Sequence, residues 1–541
     1  MESVATDPQA LFQQAVGHHQ AERLDQAEAC YRAIVRSHPE FVLAHNNLAI
    51  LLTHRQCFPE AEVAYREAIR IRPDFPNTYN NLGVMLKTRQ RFAEAETALR
   101  EAIRLRPEYA DAHVNLGNLP KERQRPVEAE AAYREAMRIR PEFANAHFNL
   151  ANLLKERQRP VEAEAAYREA MRIRPEFANA HFNLANLLKE RQRPVEAEAA
   201  YRKTIHIKPE HATAHSNLGV LLQEQQYPVA AEAAYREAIR IDPEFAEAYF
   251  NLGNLLKERK RPVEAEAAYR EALRIQPEFV AAHANLGVLL QEQKRPVEAE
   301  AVYREAMRIQ PEHVDAYANL GNLLQEQQRP AEAEAAYRQA MRIQPEYVEA
   351  YSKLGVLLQA WQRPVEAEAA YRQAMRIQPE HVGASWNLST LLLSLQRFSE
   401  GWPLYELRNH HDNPITKPLK LKLPYPQWQG EDLAGRSLLV IGEQGFGDEI
   451  QFSRYLPILK SRGARYVTFA CKKPLIPFFA SSSLDTNRTI TISDIKNTVI
   501  HDFWVFLLSI PLHLGTTPET ISACRKAKAR RKRPVLRRIN P

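Results

Sequence analysis

Glycine is scarce in this 541-residue chain, with only 17 copies, and cysteine is scarcer, with four. Few glycines exclude a turn-rich sheet protein and leave a mostly helical chain as the expectation. Cys30, Cys57, Cys471 and Cys524 lie far apart with no C-x-x-C pair, which excludes a disulfide framework and a zinc ribbon. Long apolar runs are also missing. The longest, Phe503 to Leu514, is too short and interrupted for a membrane span. The opening text, MESVATDPQALFQQAVGHHQ, is polar, so no secretory signal is expected and the cytoplasm is the default location. The net charge of +7 is misleading, because Arg525, Lys526, Lys528, Arg530, Arg531, Lys532, Arg533, Arg537 and Arg538 supply nine positive charges; without them the balance is 7 − 9, or −2.

What is present is repetition. Prolines at 39, 73, 107, 141, 175, 209, 243, 277, 311, 345 and 379 recur every 34 residues, the period of stacked helical hairpins. One unit, Ala144 to Phe177, reads ANAHFNLANLLKERQRPVEAEAAYREAMRIRPEF. Its apolar and small residues fall at helical spacing in two segments separated by Pro160. His147, Leu150, Ala151 and Leu154 mark the packed side of the first segment, and Ala163, Tyr167 and Ala170 that of the second. Small residues at 83, 117, 151, 185, 219, 253, 287, 321 and 355 let the two helices approach closely, and the second helix's aromatic, as at Tyr133 or Tyr269, is expected to fill the gap between neighbours. These are the places where the tetratricopeptide family puts its packing residues. The resemblance covers residues 8 to about 408, some twelve units, and implies an all-α tetratricopeptide solenoid, a right-handed superhelix of helical hairpins. With helix axes roughly 8 to 10 Å apart, two dozen helices would trace a trough on the order of 200 Å long. Pro120 stands where leucine stands in neighbouring units, inside a first helix, and points to a local bend or soft spot, or to a defect that a redundant array tolerates.

On a helical wheel, Asn145, Asn149, Asn152 and Glu156 project away from the packed side of the first helix. The central position recurs as Asn47, Asn81, Asn115, Asn149, Asn183, Asn217, Asn251, Asn285, Asn319 and Asn387, interrupted only by Lys353. Asparagine is a poor helix former, by up to roughly 0.7 kcal/mol relative to alanine, so ten copies on exposed helix faces need a reason. A carboxamide carries donors and an acceptor, and a row of them can pair with the backbone of an extended peptide whatever its side chains. The pattern AHVNLG at 112–117, AHSNLG at 214–219 and AHANLG at 282–287 resembles the solenoid of the O-linked N-acetylglucosamine transferases, whose asparagine ladder holds protein substrates. That resemblance implies a protein-interaction scaffold binding extended polypeptide along a concave, asparagine-lined trough. The alternative is inheritance by duplication, with a hydrogen-bonding role between repeats, since residues 140–168 and 174–202 are identical. Lys155, Glu156, Gln223 and Glu224 beside the row are mixed in charge, which favours broad partner choice. His206, His211 and His215 invite a metal reading, but His215 occupies the packing place of His45, His113, His147, His181 and His283, so no metal site and no cofactor are expected.

After Arg408 the period stops. Prolines 414, 418, 424 and 426 mark a linker, 409–435. SLLVIG (437–442) reads as a buried strand, GEQGFGDEI as a glycine loop, IQFSRYLPILKSRG as a helix ending at Gly463, and RYVTFAC as a second strand, which together make one βαβ unit of a parallel sheet. The stretch WQGEDLAGRSLLVIGEQGFGDEIQFSRYLP, with SIPLHLGTTPETI at 509–521, resembles the start of the glycosyltransferase-like domain that trails many bacterial tetratricopeptide proteins and is similar to the heptosyltransferases. The resemblance implies a partial Rossmann-like half over 436–523, with Asp448 as a candidate general base and Gly445 and Gly447 shaping the turn. The alternative for Asp448 is a helix N-terminal aspartate that interacts with the dipole. The family's second half, which holds the nucleotide-sugar, has no counterpart in this text. An alternative function is therefore a glycosyltransferase whose solenoid binds the acceptor, inactive in this chain unless a partner supplies that half and with it the nucleotide-sugar. The basic stretch 524–541 lacks aromatic residues for base stacking, which argues for disorder over a nucleic-acid partner.

Overall fold

The computed structural model describes residues 7–122, 125–409, 423–481 and 486–517. Contacts gather the chain into two compact units, Met1–Gln276 and Pro277–Pro541. Among the described residues the first holds eight helical hairpins, and the second holds four more followed by a small parallel sheet.

First helices are 13 residues long, as in Ala144–Glu156, and full second helices are 14, as in Pro160–Ile173. Proline opens most second helices, where its missing N–H is unpaired in any case. The turn before it explains how the chain manages with so little glycine. Gln158, Gln192, Gln226, Lys260 and Gln328 take the left-handed conformation that glycine would adopt more cheaply. Each such turn closes with a helix-ending bond, as from the Arg159 N–H to the Leu154 carbonyl at 2.9 Å.

Inside each hairpin the second-helix tyrosine lies against the small residue of its own first helix. A Cβ on Gly117 would stand 2.7 Å from the Tyr133 ring, and one on Gly253 2.7 Å from that of Tyr269. The fully buried ring is a wedge within its own hairpin, and its hydroxyl also meets the next one, as where Asn47 Nδ2 donates to the Tyr31 hydroxyl at 3.5 Å. Recurrent histidines brace the other end. His45, His113, His147, His181 and His283 each place Nε2 2.9 Å from the carbonyl of the proline six residues earlier, and His215 does so at 3.0 Å. A carbonyl only accepts, so Nε2 carries the proton. The helix Ala110–Glu122 runs through Pro120, which therefore does not end it.

Between hairpins, arginine at the start of a second helix joins two carboxylates. Arg159 meets Glu130 of the preceding hairpin at 2.8 Å and Glu162 of its own at 2.6 Å, and Arg363 meets Glu334 and Glu366 in the same way.

In the last part of the second unit, β1 (Ser437–Ile441), β2 (Tyr466–Cys471), β3 (Arg488–Thr491) and β4 (Phe503–Phe506) form a parallel sheet in the order β3-β2-β1-β4. Both faces are covered. Leu438, Val440, Val467 and Phe469 point into one core, and Leu439, Ile441, Ala470 and Ile490 into the other. Two expectations need correction. Residues 423–435 are not linker: Trp428 is buried in the first core, its N–H donates to the Trp504 carbonyl at 2.7 Å, and Leu423 and Tyr425 pack on the second core. The linker prolines 414 and 418 lie outside the described residues, as does the basic stretch 524–541. The helix expected over 450–463 is broken into Phe446–Phe452, a 3-10 turn Ser453–Tyr455 and Leu456–Ser461, because Pro457 supplies no N–H to continue it.

Candidate functional site

The asparagine positions are half-buried, not exposed, all ten of them, and several lie at the joint with the preceding hairpin. In the central repeats each donates across that joint. Asn183 Nδ2 reaches Asn152 Oδ1 at 2.8 Å, Asn217 reaches Asn186 at 3.1 Å, and Asn149 reaches Asn118 at 3.3 Å. Nearer the N-terminus the acceptor shifts to the residue before the equivalent asparagine, as from Asn115 to Asn80 at 2.8 Å. The same acceptor oxygens take a second bond from the buried tyrosine: Tyr167 to Asn152 at 2.6 Å and Tyr133 to Asn118 at 2.7 Å. Burial raises the Tyr167 phenol well beyond its ordinary value and so keeps it neutral.

This tyrosine needs an acceptor, and the repeats supply one by two routes. Where Asn152 or Asn254 provides it, the residue three places on is Lys155 or Lys257. Where valine replaces that asparagine, at 220, 288 and 356, the residue three places on becomes glutamine. Tyr235, Tyr303 and Tyr371 then donate to Gln223, Gln291 and Gln359 at 3.0, 3.3 and 2.9 Å. The one full repeat with valine and lysine together, Val84 and Lys87, has Leu99 in place of the tyrosine and no hydroxyl to satisfy. The wheel places Asn152 on the polar side, and Gln223 lies beside the row, but neither they nor Asn186 are singled out by it as acceptors for the buried tyrosine. Their exchange from repeat to repeat was the available signal.

Beside this joint lies a cavity of about 550 Å³ lined by Asn152, Lys155, Tyr167, Asn183, Leu187 and Glu190, among others. At this rim Lys155 meets Glu190 at 2.7 Å, and in the following hairpins Lys189 meets Glu224 at 3.0 Å, while Gln223 donates to Glu258 at 2.8 Å without cancelling its charge. Asn183 gives an N–H to Asn152 and stands within hydrogen-bonding reach of the Tyr167 hydroxyl as well, and its carboxamide oxygen is not used in either contact. Asn251, Asn285, Asn319 and Asn387 occupy the equivalent half-buried place, and Lys353 is exposed.

At the sheet, Asp448 Oδ2 accepts from the Gly445 N–H at 3.1 Å and so caps the helix Phe446–Phe452 that it belongs to. Gly445 has a φ of −83°, and a Cβ there would stand 3.2 Å from Asp448 Oδ2, whereas a Cβ on Gly447 would meet nothing. The left-handed residue is Gln444, and the close approach is at Gly442, where a Cβ would stand 2.8 Å from Glu449 Cδ and 3.1 Å from the Ala470 carbonyl. Glu449 is itself buried, and its Oε2 accepts from the Lys472 N–H at 3.1 Å. Burial pushes its carboxyl up.

Tetratricopeptide-repeat family models match residues 12–76, 77–106, 121–244, 246–279, 279–346 and 318–380. Together they cover well over half of the chain, which belongs to the tetratricopeptide-repeat proteins. It is 34% identical over 82 residues to protein FlbA of Caulobacter vibrioides, a match covering 15% of this chain and 13% of FlbA, so the chain spans about an eighth of that relative's length. Similar solved structures include yeast Tom70 (14% identity, 74% of this chain and 98% of that one, TM-score 0.38). Others are PilF of Pseudomonas aeruginosa (23%, 38% and 94%, 0.35) and YrrB, a repeat protein with an unusual peptide-binding site (25%, 34% and 95%, 0.30). Among the described residues no helix is long and apolar enough to cross a membrane, and no cluster of three metal-ligating side chains occurs.

Proposed function

We propose that the chain is a cytoplasmic protein-interaction scaffold that holds an extended polypeptide along the polar face of its first helices. The observation that carries this reading is the cavity beside Asn152 and Asn183, at a joint that recurs every 34 residues. It combines an apolar floor at Leu187 with carboxamide groups that retain bonding capacity after the inter-repeat bond is made. Lys155 and Lys189 are paired with Glu190 and Glu224, so recognition in these repeats falls to the peptide backbone, and side-chain sequence in the ligand counts for little. An extended strand advances about 3.3 Å per residue, so three residues span the roughly 10 Å between helices of successive hairpins.

Hydrogen exchange of the full chain with and without a bound unstructured peptide tests this. Protection is expected over 144–156, 178–190 and 212–224. Protection confined to second helices, or to the sheet, would place the ligand elsewhere.

The second reading is a glycosyltransferase in which Asp448 acts as base on an acceptor hydroxyl and a partner chain supplies the nucleotide-sugar. It draws support from the parallel sheet and from the position of the Gly442–Gly447 loop at the carboxyl end of β1. Against it, Asp448 already caps its own helix. Loss of transfer in Asp448→Asn, with the fold intact and a donor domain present, would favour it; absence of transfer in the unaltered protein under those conditions would dispose of it.

A further inference from the structure

The strand order β3-β2-β1-β4 reverses direction between β1 and β4. In open parallel sheets the loops leaving two such strands diverge and open a crevice at their carboxyl ends, which is where ligands enter. Here those ends are Gly442–Glu443 and Leu507–Ser509. The crevice already has an occupant. Arg408, from the 3-10 turn Glu406–Asn409 that ends the last repeat, lies across both strand ends with no exposed side-chain surface.

Its bonds fit a site built for guanidinium. Nε and Nη2 donate to Glu443 Oε2 and Oε1 at 3.3 and 2.8 Å, the two-pronged pairing of a guanidinium with a carboxylate. Nη2 also reaches Ser509 Oγ at 2.8 Å, and Nη1 reaches Glu406 Oε1 at 2.6 Å and the Tyr405 carbonyl at 3.1 Å. Among the described residues Arg408 makes five such contacts, as many as the planar fork has N–H groups. The Tyr405 ring stacks 4.7 Å from Cζ. The receiving groups are themselves held in place: Glu443 Oε1 accepts from the Leu508 N–H at 3.1 Å, and Ser509 Oγ donates to Glu406 Oε2 at 2.8 Å. Apolar contacts close the surroundings, with Trp402 edge-on to Phe452 and Trp386 stacked on Tyr405.

We infer that the switch-point crevice of this sheet is a guanidinium site filled in cis by Arg408, which locks the last repeat to the sheet and closes the crevice to anionic ligands. Among the described residues two carboxylates, Glu406 and Glu443, face one cation, so the site without Arg408 is acidic. A nucleotide phosphate would meet Glu406 and Glu443 there and be repelled, whereas a second guanidinium would be accepted. A lysine could offer three N–H groups from a single point and could not span Glu443, Ser509 and Glu406 together. The inference stands apart from peptide binding by the repeats, and it opposes nucleotide-sugar binding at this crevice.

Chemical rescue in the full chain tests it. Arg408→Ala leaves Glu443 buried beside an empty space, and hydrogen exchange over 503–514, including the Leu508 amide, should accelerate by about tenfold or more. Methylguanidinium at tens of millimolar should restore slow exchange, while sodium chloride or methylammonium at equal ionic strength should not, and the unaltered protein should respond to none of them. Unchanged exchange in Arg408→Ala, or equal rescue by sodium chloride, would overturn the inference. Should that variant lose the sheet altogether, Arg408→Lys carries the test: faster exchange over 503–514 with the repeats unchanged supports a guanidinium-specific site, and wild-type exchange contradicts it. Tight binding of a nucleotide-sugar by the unaltered protein at this crevice would also contradict it.

Discussion

The repeats and the sheet satisfy their polar groups over different stretches of chain. In a repeat, Asn183 finds its acceptor 31 residues back and Arg193 a carboxylate 29 residues back, both in the preceding hairpin. In the sheet, Asp502 holds Ser437 across 65 residues, and Arg408 reaches Ser509 across 101. A repeat array is a sum of local units and nearest-neighbour joints, so a lesion in it stays local. The sheet has no second copy of any contact, and loss of one is felt throughout.

Trp428→Ala should produce the largest effect, about 3–5 kcal/mol, because it empties a core that the whole sheet shares. Near-ultraviolet dichroism should report loss of the sheet's tertiary structure while helical signal from the repeats persists. An unaffected sheet would return residue 428 to a linker. Within the array, Asn152→Ala should cost about 2 kcal/mol and Asn183→Ala about 1 kcal/mol, since the first orphans donors from both Tyr167 and Asn183 and the second removes one bond. Exchange should quicken only in the flanking hairpins; equal costs would mean that Asn152 is not the shared acceptor.

Acid should weaken the array joint by joint. Hydrogen bonds from Arg91 and Arg363 hold Glu62 and Glu334 below the ordinary carboxylate value. A lowered folded pKa gives stability that is present above the unfolded value and lost as pH falls through the folded one. The helical melting temperature should therefore drop below about pH 4, with each partly solvated pair contributing at most about 1 kcal/mol. Melting that is flat with pH down to that range would show the ladder to be energetically idle. The smallest expected change is a gain: Gln192→Gly should stabilise its turn by up to about 1 kcal/mol in thermal unfolding, because glycine adopts a φ of 58° without strain.

Much of this was legible in the sequence. The 34-residue spacing placed every hairpin, and short continuous apolar runs placed β1 and β2. A helical wheel shows which side of one helix is polar, but not that the next hairpin leans over that side, so the asparagines read as exposed. Trp428 was hidden by the prolines around it, and β3, a four-residue RTIT, is too short and polar to stand out. Gly445 and Gly447 drew attention through a motif, yet only the fold reveals that the tight approach is at Gly442.

The most direct test of the scaffold account is a fluorescence titration of the full chain with unstructured peptides, comparing the unaltered protein with one in which Asn149, Asn183, Asn217 and Asn251 are all alanine. Melting temperature and helicity should be recorded alongside, because these residues also tie hairpins together. The account predicts affinity reduced at least about tenfold, the equivalent of some 1.4 kcal/mol, in a variant that remains helical. Equal affinity in the two proteins would contradict it and reduce the asparagine row to an inter-repeat joint.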